Sequence, residues 1–429
     1  MKIIQYPDRS TWDSLCERPS MDRPGLEDDV TIILHKVKSS GDRALFEFSG
    51  KYDGVALKYL RVSASEIAES ADNVPDALRE AIDVAKANIE KFHQPQLIKE
   101  HVIETTKGVK CWRKNVPIGR VGLYIPGGTA PLFSTVLMLA VPAKIAGCRE
   151  IILCTPPDKK GAVNPLILYA AHITGVTNIF RIGGAQAIAA MAYGTETVPK
   201  VDKIFGPGNQ YVTKAKELVQ LDGTPIDIPA GPSEVLVIAD INADPSFVAS
   251  DLLSQGEHGT DSQVVLLTDT SDLINAVKIE TDRQVMLLPR KEIALKALGN
   301  SSFILLKSLS ECIEFSNIYA PEHLIISTSD PLLLAEQVTN AGSVFLGKYS
   351  CESAGDYASG TNHTLPTCGY ARNFSGVSSE SFVKKITFQE ISLEGLKNLG
   401  PVIEKMAEAE LLYGHKNAVT IRLKSLGND

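Results

Sequence analysis

The sequence predicts an α/β protein with two doubly wound, incomplete Rossmann-like parallel-sheet domains, a helical N-terminal segment and a small C-terminal docking element. Two observations predict this fold: short apolar runs alternate with helical runs from Val121 onward, and loops rich in glycine or proline accompany several of those runs. Short apolar strands separated by helices are typical of parallel βαβ units, in which helices cover both faces of the sheet. A chain of 429 residues is also too long for one compact core, so more than one domain is expected.

The N-terminal part is expected to be mainly helical. The helical pattern extends over about residues 26–97, and residues 79–93 carry apolar side chains at helical spacing with charges on the opposite face. We expect most of these helices to pack on the second of the two sheets.

The two sheets are predicted from the alternation of strands and helices. From Val121, strands are expected at VGLYI, IILCTPP, NIFRIGG, VDKIFGPGN and EVLVIAD, with a helix between consecutive strands. After Asp240 the alternation continues, with strands at QVVLLTD, FILL, EHLIIST and GSVFLG. This pattern indicates one sheet around residues 121–234 and another that draws on residues 235–348.

The C-terminal part is expected to form a separate short element. Pro401 should begin a helix and Gly414 should end it, and AVTIRL should continue as an edge strand. The expected domains are an arm at 1–24, a larger discontinuous α/β domain at 25–120 plus 235–378, an inserted Rossmann-like domain on the cofactor side at 121–234, and a dimerisation element at 379–429.

The composition indicates a soluble cytoplasmic protein that acts on a small molecule. A net charge of −8 argues against nucleic acid as a partner, because phosphate binding needs a basic surface. Charges and Pro7 interrupt the N-terminus too early for a secretory signal, and the most apolar stretch, residues 131–143, is shorter than a bilayer span. The seven cysteines are an odd number without a CxxC pair, which fits reduced thiols in the cytoplasm. We therefore expect neither a nucleic-acid nor a membrane partner.

Four loops rich in glycine or proline suggest a shared cofactor face. They are interpreted as the carboxyl ends of parallel strands, where ligands bind in open sheets, and they carry the polar residues Gln186, Asn209 and Ser233. The alternative is that they are only tight turns. No GxGxxG motif follows a first strand, so a dinucleotide would not be bound in the usual Rossmann way. The four loops are residues 126–128, 183–186, 206–209 and 229–233.

A mixed set of nitrogen and oxygen ligands predicts a divalent metal. Gln255 and His258 are three residues apart at the end of a predicted helix, which places both side chains on one face. Asp356 lies in SAGDYASGTNH, a small and polar segment predicted to be a ligand loop, where His363 is a further ligand or a cap. His415 follows a predicted helix C-terminus. Such a set suits Zn²⁺ or Mn²⁺ with open positions. For His258, a helix-capping role is the alternative.

Glu322 and His323 are candidates for proton transfer. They begin a predicted strand, and a histidine beside a carboxylate is a natural acid–base pair. A solvated strand start is the alternative interpretation. Glu410 lies about one helical turn before His415 and is a further candidate near the C-terminus.

Long motifs in this sequence resemble those of histidinol dehydrogenase. They run from about Val121 to the C-terminus, and Gly256 is a departure at a position where alanine is commoner. The matching segments are VGLYIPGGTAPLFSTVLMLA, RIGGAQAIAAMAYGTE, VDKIFGPGNQYV, DIPAGPSEVLVIAD, SDLLSQGEHGTDSQ, YAPEHL, SAGDYASGTNHTLPT and EAELLYGHKNAV.

The resemblance implies that the chain oxidises L-histidinol to L-histidine in two NAD-linked steps through L-histidinal, the last steps of histidine biosynthesis. It implies Glu322 and His323 as the proton-transfer pair, with His323 as general base and Glu322 activating water. It also implies a homodimer of intertwined subunits with a shared active site and one zinc ion per subunit. The implied zinc ligands are Gln255, His258, Asp356 and His415. The implied NAD contacts are Tyr124, Gln186 and Asn209. The implied substrate contacts are Ser233, His323 and Glu410 together with the four zinc ligands.

Two other functions compete with this one. A metal-dependent hydrolase on the same scaffold could use the same ligands and a water activated by Glu322, but the four glycine-rich loops would then lack a cofactor. In a non-catalytic two-domain binding protein, the Glu322–His323 pair would be incidental.

Overall fold

A computed structural model describes residues 1–19, 24–97, 100–127, 131–229 and 231–425. Gly128 and Ala230, which belong to two of the predicted glycine- and proline-rich loops, lie outside these ranges. No helix in the described part of the chain combines the length and the apolar character that a bilayer crossing needs.

The described residues form thirteen strands. They are β1 (Lys2–Gln5), β2 (Ile103–Thr106), β3 (Val109–Pro117), β4 (Arg120–Tyr124), β5 (Glu150–Thr155), β6 (Asn178–Arg181), β7 (Lys203–Phe205), β8 (Glu234–Ala239), β9 (Gln263–Thr268), β10 (Ser302–Leu305), β11 (His323–Ser327), β12 (Ser343–Leu346) and β13 (Val383–Ile391).

The α-helices of the described residues number sixteen. They are α1 (Trp12–Leu15), α2 (Leu26–Phe48), α3 (Ala64–Ala68), α4 (Asp76–His93), α5 (Phe133–Ala146), α6 (Pro165–Ile173), α7 (Gly184–Tyr193), α8 (Gln210–Leu221), α9 (Pro245–Gly256), α10 (Ser271–Val285), α11 (Lys291–Gly299), α12 (Leu309–Tyr319), α13 (Pro331–Ala335), α14 (Glu352–Tyr357), α15 (Leu393–Ala409) and α16 (Tyr413–Ser425).

The chain divides into two compact units. The first unit contains Met1–Gln96 and Ile118–Phe382, and the second contains Leu97–Pro117 and the chain from Val383 onward. Residues 97–117 were expected in the larger α/β domain, and this division groups them with the C-terminal element instead. The other expected domain limits stay predictions.

The first unit holds two parallel sheets, which confirms the predicted α/β class. The smaller sheet has the order β6-β5-β4-β7, and the larger has the order β1-β10-β9-β8-β11-β12. Every pairing in both sheets is parallel. The nine strands predicted for these two sheets are all present, and β1 adds an edge strand from the N-terminal arm.

The larger sheet is buried on both faces, which explains its continuous apolar strands. Val235 and Val237 of β8 belong to one apolar core, whereas Leu236 and Ile238 belong to the other. Successive side chains of a strand point to opposite faces, so a strand covered on both sides must be apolar at every position.

The expected packing of the N-terminal helices is wrong. The structure places α2 against α7 and α8, beside the smaller sheet, and not on the larger one. Val30, Ile33 and Val37 of α2 share one core with Ala187 and Ile188 of α7. The alanine side chains of α7 are small, so the apolar face of α2 can pack close to this helix.

The second unit consists of an antiparallel sheet and a helical pair. The sheet has the order β13-β3-β2, and Trp112 of β3 stacks on Phe388 of β13 with ring centroids 5.5 Å apart. α15 packs on α16, where Gly400 lies against Leu423 and Thr420 donates a hydrogen bond to Glu404.

Three predictions for this C-terminal part are wrong. The first helix, α15, begins at Leu393 and not at Pro401, because the Ser392 side chain caps it by accepting a hydrogen bond from the Gly395 N–H. It ends at Ala409, and Gly414 lies inside the next helix, α16, and does not end one. AVTIRL lies inside α16 and is not a strand. Its β-branched residues favour a strand locally, but packing against α15 outweighs that preference.

Candidate active site

A cavity of about 610 Å³ in the first unit brings most of the predicted site residues together. It lies where the two sheets face each other, between loops that follow strands of the smaller sheet and loops that precede strands of the larger sheet. The predicted residues that line it are Ser233, Gln255, His258, Glu322, His323, Asp356 and His363.

One predicted loop was assigned to the wrong end of its strand. Residues 229–233 precede β8, so Ser233 enters the cavity from the amino end of the larger sheet. His323 is likewise the first residue of β11. The loops at 126–128 and 206–209 do follow β4 and β7, as the rule for parallel sheets predicts.

Glu322 and His323 are held by the backbone N–H and carbonyl groups of one residue, Glu234, in the neighbouring strand β8. The Glu234 N–H donates to Glu322 Oε2 at 2.9 Å, and His323 Nδ1 lies 3.2 Å from the Glu234 carbonyl oxygen. Glu322 Oε2 and His323 Nδ1 are 3.6 Å apart. Strand pairing therefore fixes both side chains, since β8 and β11 are adjacent and parallel.

Burial and mutual charge shift the protonation of this pair. Burial raises the pKa of the Glu322 carboxyl above its usual range. Burial alone would lower the pKa of His323, but the negative charge of Glu322 outweighs it and holds the His323 pKa well above its ordinary value. Glu322 therefore takes up a proton more readily than an ordinary glutamate, and the His323 imidazole lies beside it. Together they form a proton-transfer pair.

Two buried oxygen atoms in the cavity, Gln255 Oε1 and Asp356 Oδ1, accept no hydrogen bond from the described residues, although His323 Nε2 lies 3.5 Å from Asp356 Oδ1. A buried acceptor without a donor is costly, and a cation removes that cost. His323, Glu352 and Asp356 also place possible ligand atoms within 4.8 Å of one another. These residues fit a divalent metal.

The orientation of Gln255 is set by Glu352. The Gln255 Nε2 donates to Glu352 Oε1, which leaves the amide oxygen free, and Ser254 donates to the other carboxylate oxygen. Glu352 lies in α14 with Asp356, so part of the predicted ligand loop is in fact a helix. Sequence reasoning missed Glu352, although its spacing of four residues from Asp356 places both on one helix face.

Three further residues complete the wall. Ser233 Oγ lies 3.4 Å from His258 Nδ1. His363 Nε2 is buried with no hydrogen-bond partner in the described part of the chain. Burial lowers the pKa of both His258 and His363, which favours the neutral imidazole that a metal requires as ligand.

A second cavity, of about 1200 Å³, adjoins the first. It lies at the carboxyl ends of the smaller sheet and is lined by the three predicted cofactor residues, Tyr124, Gln186 and Asn209. Gly127 lines both cavities, so a ligand in one is next to a ligand in the other. Its volume fits a ligand the size of a dinucleotide.

Two of the cofactor residues also have structural partners. The Tyr124 hydroxyl accepts a hydrogen bond from the Gly184 N–H at 3.0 Å, where α7 begins. Asn209 caps α8, because its Oδ1 accepts from the Tyr211 and Val212 N–H groups. Both residues therefore fix helix N-termini that face the cavity.

Glu410 and His415 belong to the second unit. Both are exposed and lie near the turn between α15 and α16, where Leu411 adopts a positive φ of 61°. The residues around them include exposed apolar side chains, with Leu411 at 72% and Tyr413 at 59% exposure. The structure therefore presents these two polar groups within an apolar surface of the second unit.

Comparison with known proteins identifies the family. A family model described as histidinol dehydrogenase matches residues 16–423. A histidinol dehydrogenase from Bacteroides thetaiotaomicron is 59% identical over 426 residues, which are 99% of this chain and 100% of that protein. One from Escherichia coli K12 is 55% identical over 92% of this chain and 91% of its own length. The crystal structure of histidinol dehydrogenase from Elizabethkingia anophelis matches with a TM-score of 0.98 and 55% identity, over 100% of this chain and 99% of that one. Agreement over this length, in sequence and in fold, shows that the chain belongs to the histidinol dehydrogenase family of oxidoreductases.

Proposed function

We propose that this chain oxidises L-histidinol to L-histidine through L-histidinal, in two NAD-linked steps that depend on zinc and complete histidine biosynthesis. The observation that carries the proposal is the Glu322–His323 pair, buried beside the unpartnered Gln255 and Asp356 oxygens and next to a cofactor-sized cavity. A four-electron oxidation of an alcohol to an acid needs a base for the hydroxyl proton, an activated water and an electron acceptor. Each of these has a place in the two adjoining cavities.

We assign the metal to the buried side chains that offer lone pairs to the smaller cavity. Gln255, His258 and Asp356 would hold zinc, with His415 as the fourth ligand. When bound, zinc supplies a Lewis acid that can ligate the imidazole and amino groups of the substrate and fix its orientation. Ser233 and Glu410 would contact the substrate beside it.

His323 acts as the base in the first oxidation. Its Nδ1 faces the Glu234 carbonyl oxygen, so Nε2 is the nitrogen that would take the hydroxyl proton. A cation held by Asp356 would offset one of the contacts that raise the His323 pKa and would so favour the neutral, basic imidazole. NAD, when bound, accepts the hydride that leaves the alcohol carbon. Tyr124, Gln186 and Asn209 would contact it in the larger cavity.

Glu322 acts between the two oxidations. The aldehyde must gain water before a second hydride can leave, and a carboxylate that readily takes up a proton can activate that water. The buried Glu322, fixed by the Glu234 N–H, is suited to this role. His323 then takes the second hydroxyl proton, so one pair serves both steps.

A metal-dependent hydrolase remains the competing function. It would use the same ligands and the same water, but it would leave the cavity of about 1200 Å³ at Tyr124 and Gln186 without a ligand. In a non-catalytic binding protein, the buried Glu322–His323 pair would have no role in proton transfer.

One assay separates these functions. Zinc-loaded protein is mixed with NAD and L-histidinol, and absorbance at the reduced-nicotinamide band is followed. We expect two NAD molecules to be reduced for each histidinol consumed, because an alcohol becomes an acid. His323→Asn is the matched control, since it keeps the fold and removes the base. Consumption of an ester or amide without nicotinamide reduction would favour the hydrolase instead.

We further infer a cytoplasmic homodimer in which Glu410 and His415 complete the active site of the partner subunit. The exposed apolar surface around Leu411 and Tyr413 supports this arrangement, because a surface of this kind marks an interface. Exchange of a terminal element is a low-cost route to an intertwined dimer.

A further inference from the structure

The cofactor cavity contains a carboxylate, Asp53, that has the Ser49 side chain beside it and one oxygen that accepts no hydrogen bond from the described residues. Asp53 ends a π-helical turn, Ser49–Asp53, that follows α2 and lines the cavity together with Tyr124. Asp53 Oδ2 is buried and accepts no hydrogen bond from the described residues. A buried acceptor without a donor destabilises the folded protein, and a ligand with hydroxyl or amine donors would remove this destabilisation.

The turn itself is built to hold this side chain in place. Gly54 adopts a φ of 70°, which ends the turn directly after Asp53, and Tyr52 stacks on Phe48 with ring centroids 5.6 Å apart. Irregular turns of this kind are frequent at functional sites. Burial raises the pKa of Asp53 to about 6, so the group is an ionised acceptor at neutral pH.

The other acids of the cavity are differently placed. Asp158 follows β5, the position at which dinucleotide-binding folds carry a ribose-binding acid. Its Oδ1 accepts from the Lys160 N–H at 2.8 Å and from the Ala162 N–H at 2.9 Å, which fixes its own loop, and its side chain is exposed, so its other oxygen can be satisfied by water. Asp29 lies on the exposed side of α2. Asp53 is therefore the acid with a buried oxygen left for a ligand.

We propose that Asp53 accepts hydrogen bonds from a ribose diol of the dinucleotide and thereby selects NAD over NADP; this rests on the proposed NAD-linked function. A carboxylate has only acceptors, and the two hydroxyls of a ribose are donors of matching spacing. A phosphate on that ribose would bring like charge against a buried carboxylate, which is repulsive. Lys51 and Lys159 line the same cavity and fit the pyrophosphate that both dinucleotides share.

The test is calorimetric titration of the zinc-loaded full-length protein with NAD and with NADP, which measures binding without turnover. The wild type should bind NAD more tightly. Asp53→Asn should weaken NAD binding by about tenfold, the effect of losing a hydrogen bond to a charged group, and should leave NADP binding unchanged or tighter. Asp158→Asn is the matched control, because it lines the same cavity and should leave the ratio of the two affinities unchanged.

The outcomes separate the two proposals. An unchanged affinity ratio in a folded Asp53→Asn protein, or an equal change in both variants, would overturn the role of Asp53 alone. If the wild type binds neither dinucleotide, the NAD-linked function fails and the role of Asp53 fails with it. Since the substitution is isosteric at a partly buried position, thermal unfolding of each variant verifies that the protein is folded.

Discussion

The imidazole of His323 has two nitrogens in different surroundings. Nδ1 lies 3.2 Å from the carbonyl oxygen of Glu234, and Nε2 lies 3.5 Å from Asp356 Oδ1. A carbonyl can only accept, so a proton on Nδ1 is favoured and Nε2 faces the cavity as the basic nitrogen. The carbonyl group of Glu234 therefore favours the His323 tautomer with a proton on Nδ1, while the N–H of Glu234 fixes Glu322.

Glu322→Gln should separate the two oxidations. The amide keeps the shape of the side chain but cannot take a proton from water. Oxidation of L-histidinal should fall by a factor on the order of 10²–10⁴, the usual effect of a lost general base, whereas oxidation of L-histidinol should fall much less. Nicotinamide reduction measured separately from the alcohol and from the aldehyde gives both rates.

His323→Asn is the comparison for this variant. It should slow both oxidations, because each alcohol proton needs an acceptor. Equal losses in the two steps for Glu322→Gln would mean that Glu322 has another role.

Asp53→Asn should raise the melting temperature of the ligand-free protein at neutral pH. A carboxyl whose pKa is raised to about 6 on folding destabilises the folded state once it is ionised. This penalty is complete above about pH 6 and disappears below the unfolded-state pKa of about 4. The difference in melting temperature between variant and wild type should therefore be largest at about pH 7.5 and smaller at about pH 5.

Asp158→Asn should have the opposite sign, since the Asp158 carboxylate accepts two backbone N–H groups that the folded loop needs. If the difference in melting temperature between Asp53→Asn and the wild type did not depend on pH, ionisation of Asp53 would not be what destabilises the folded protein.

Two glycines in neighbouring helices should respond oppositely to alanine. A Cβ on Gly256, at the end of α9, would meet no atom within 4 Å, so Gly256→Ala should raise the free energy of unfolding by about 0.5–1 kcal/mol. A Cβ on Gly355, in α14, would lie 2.7 Å from Cζ of Phe345, so Gly355→Ala should lower that free energy by about 1–3 kcal/mol. Denaturant unfolding of both variants measures the two changes. A loss of stability in Gly256→Ala would show that the added methyl group does not fit beside its neighbours.

Buried parallel strands were predictable from the sequence, and exposed strands were not. EVLVIAD and QVVLLTD became β8 and β9, because a strand covered on both faces is apolar at every position. The strand β13 lies in a small sheet, and most of its residues are exposed, so no apolar run identifies it. Its partner β3 is mostly half-buried, and with one fully buried residue it also shows no apolar run.

Contacts between distant segments account for most of the remaining errors. No local pattern shows that α2 packs beside the smaller sheet. The position of Ser233 could have been read from the sequence, because the predicted strand EVLVIAD begins directly after it. The candidate site was found where a residue type is itself informative, as for His258 and Asp356. Glu352 and Asp53 were missed because their importance comes from burial and unused acceptors, which a sequence does not display.

Metal removal should affect catalysis far more than folding. The proposed ligands of the first unit, Gln255, His258 and Asp356, lie at the edge of a sheet that has two apolar cores of its own. Chelation should abolish turnover and leave the helical circular-dichroism signal largely intact, and added zinc should restore activity. Concerted unfolding on chelation would instead identify a structural metal.

The proposed shared site makes a quantitative prediction for mixed dimers. His258→Asn and His415→Asn should each be nearly inactive alone. If His415 serves the partner subunit, a mixed dimer has one site with both lesions and one site with neither. Random reassortment then gives about one quarter of wild-type activity, since about half of the dimers are mixed and each has one intact site. Subunit exchange is verified by mass, and activity that stays at the single-variant level after exchange would show that His415 acts within its own chain.

The glycine that lines both cavities has a consequence for inhibitor design. Because Gly127 lines both, a compound with an imidazole group in the smaller cavity and a planar group in the larger one needs only a short linker. Joining two weak fragments makes the second binding event intramolecular, so the affinity of the joined compound can exceed that of either fragment by about 10²–10⁴. Under the proposed function, such a compound would compete with both L-histidinol and NAD.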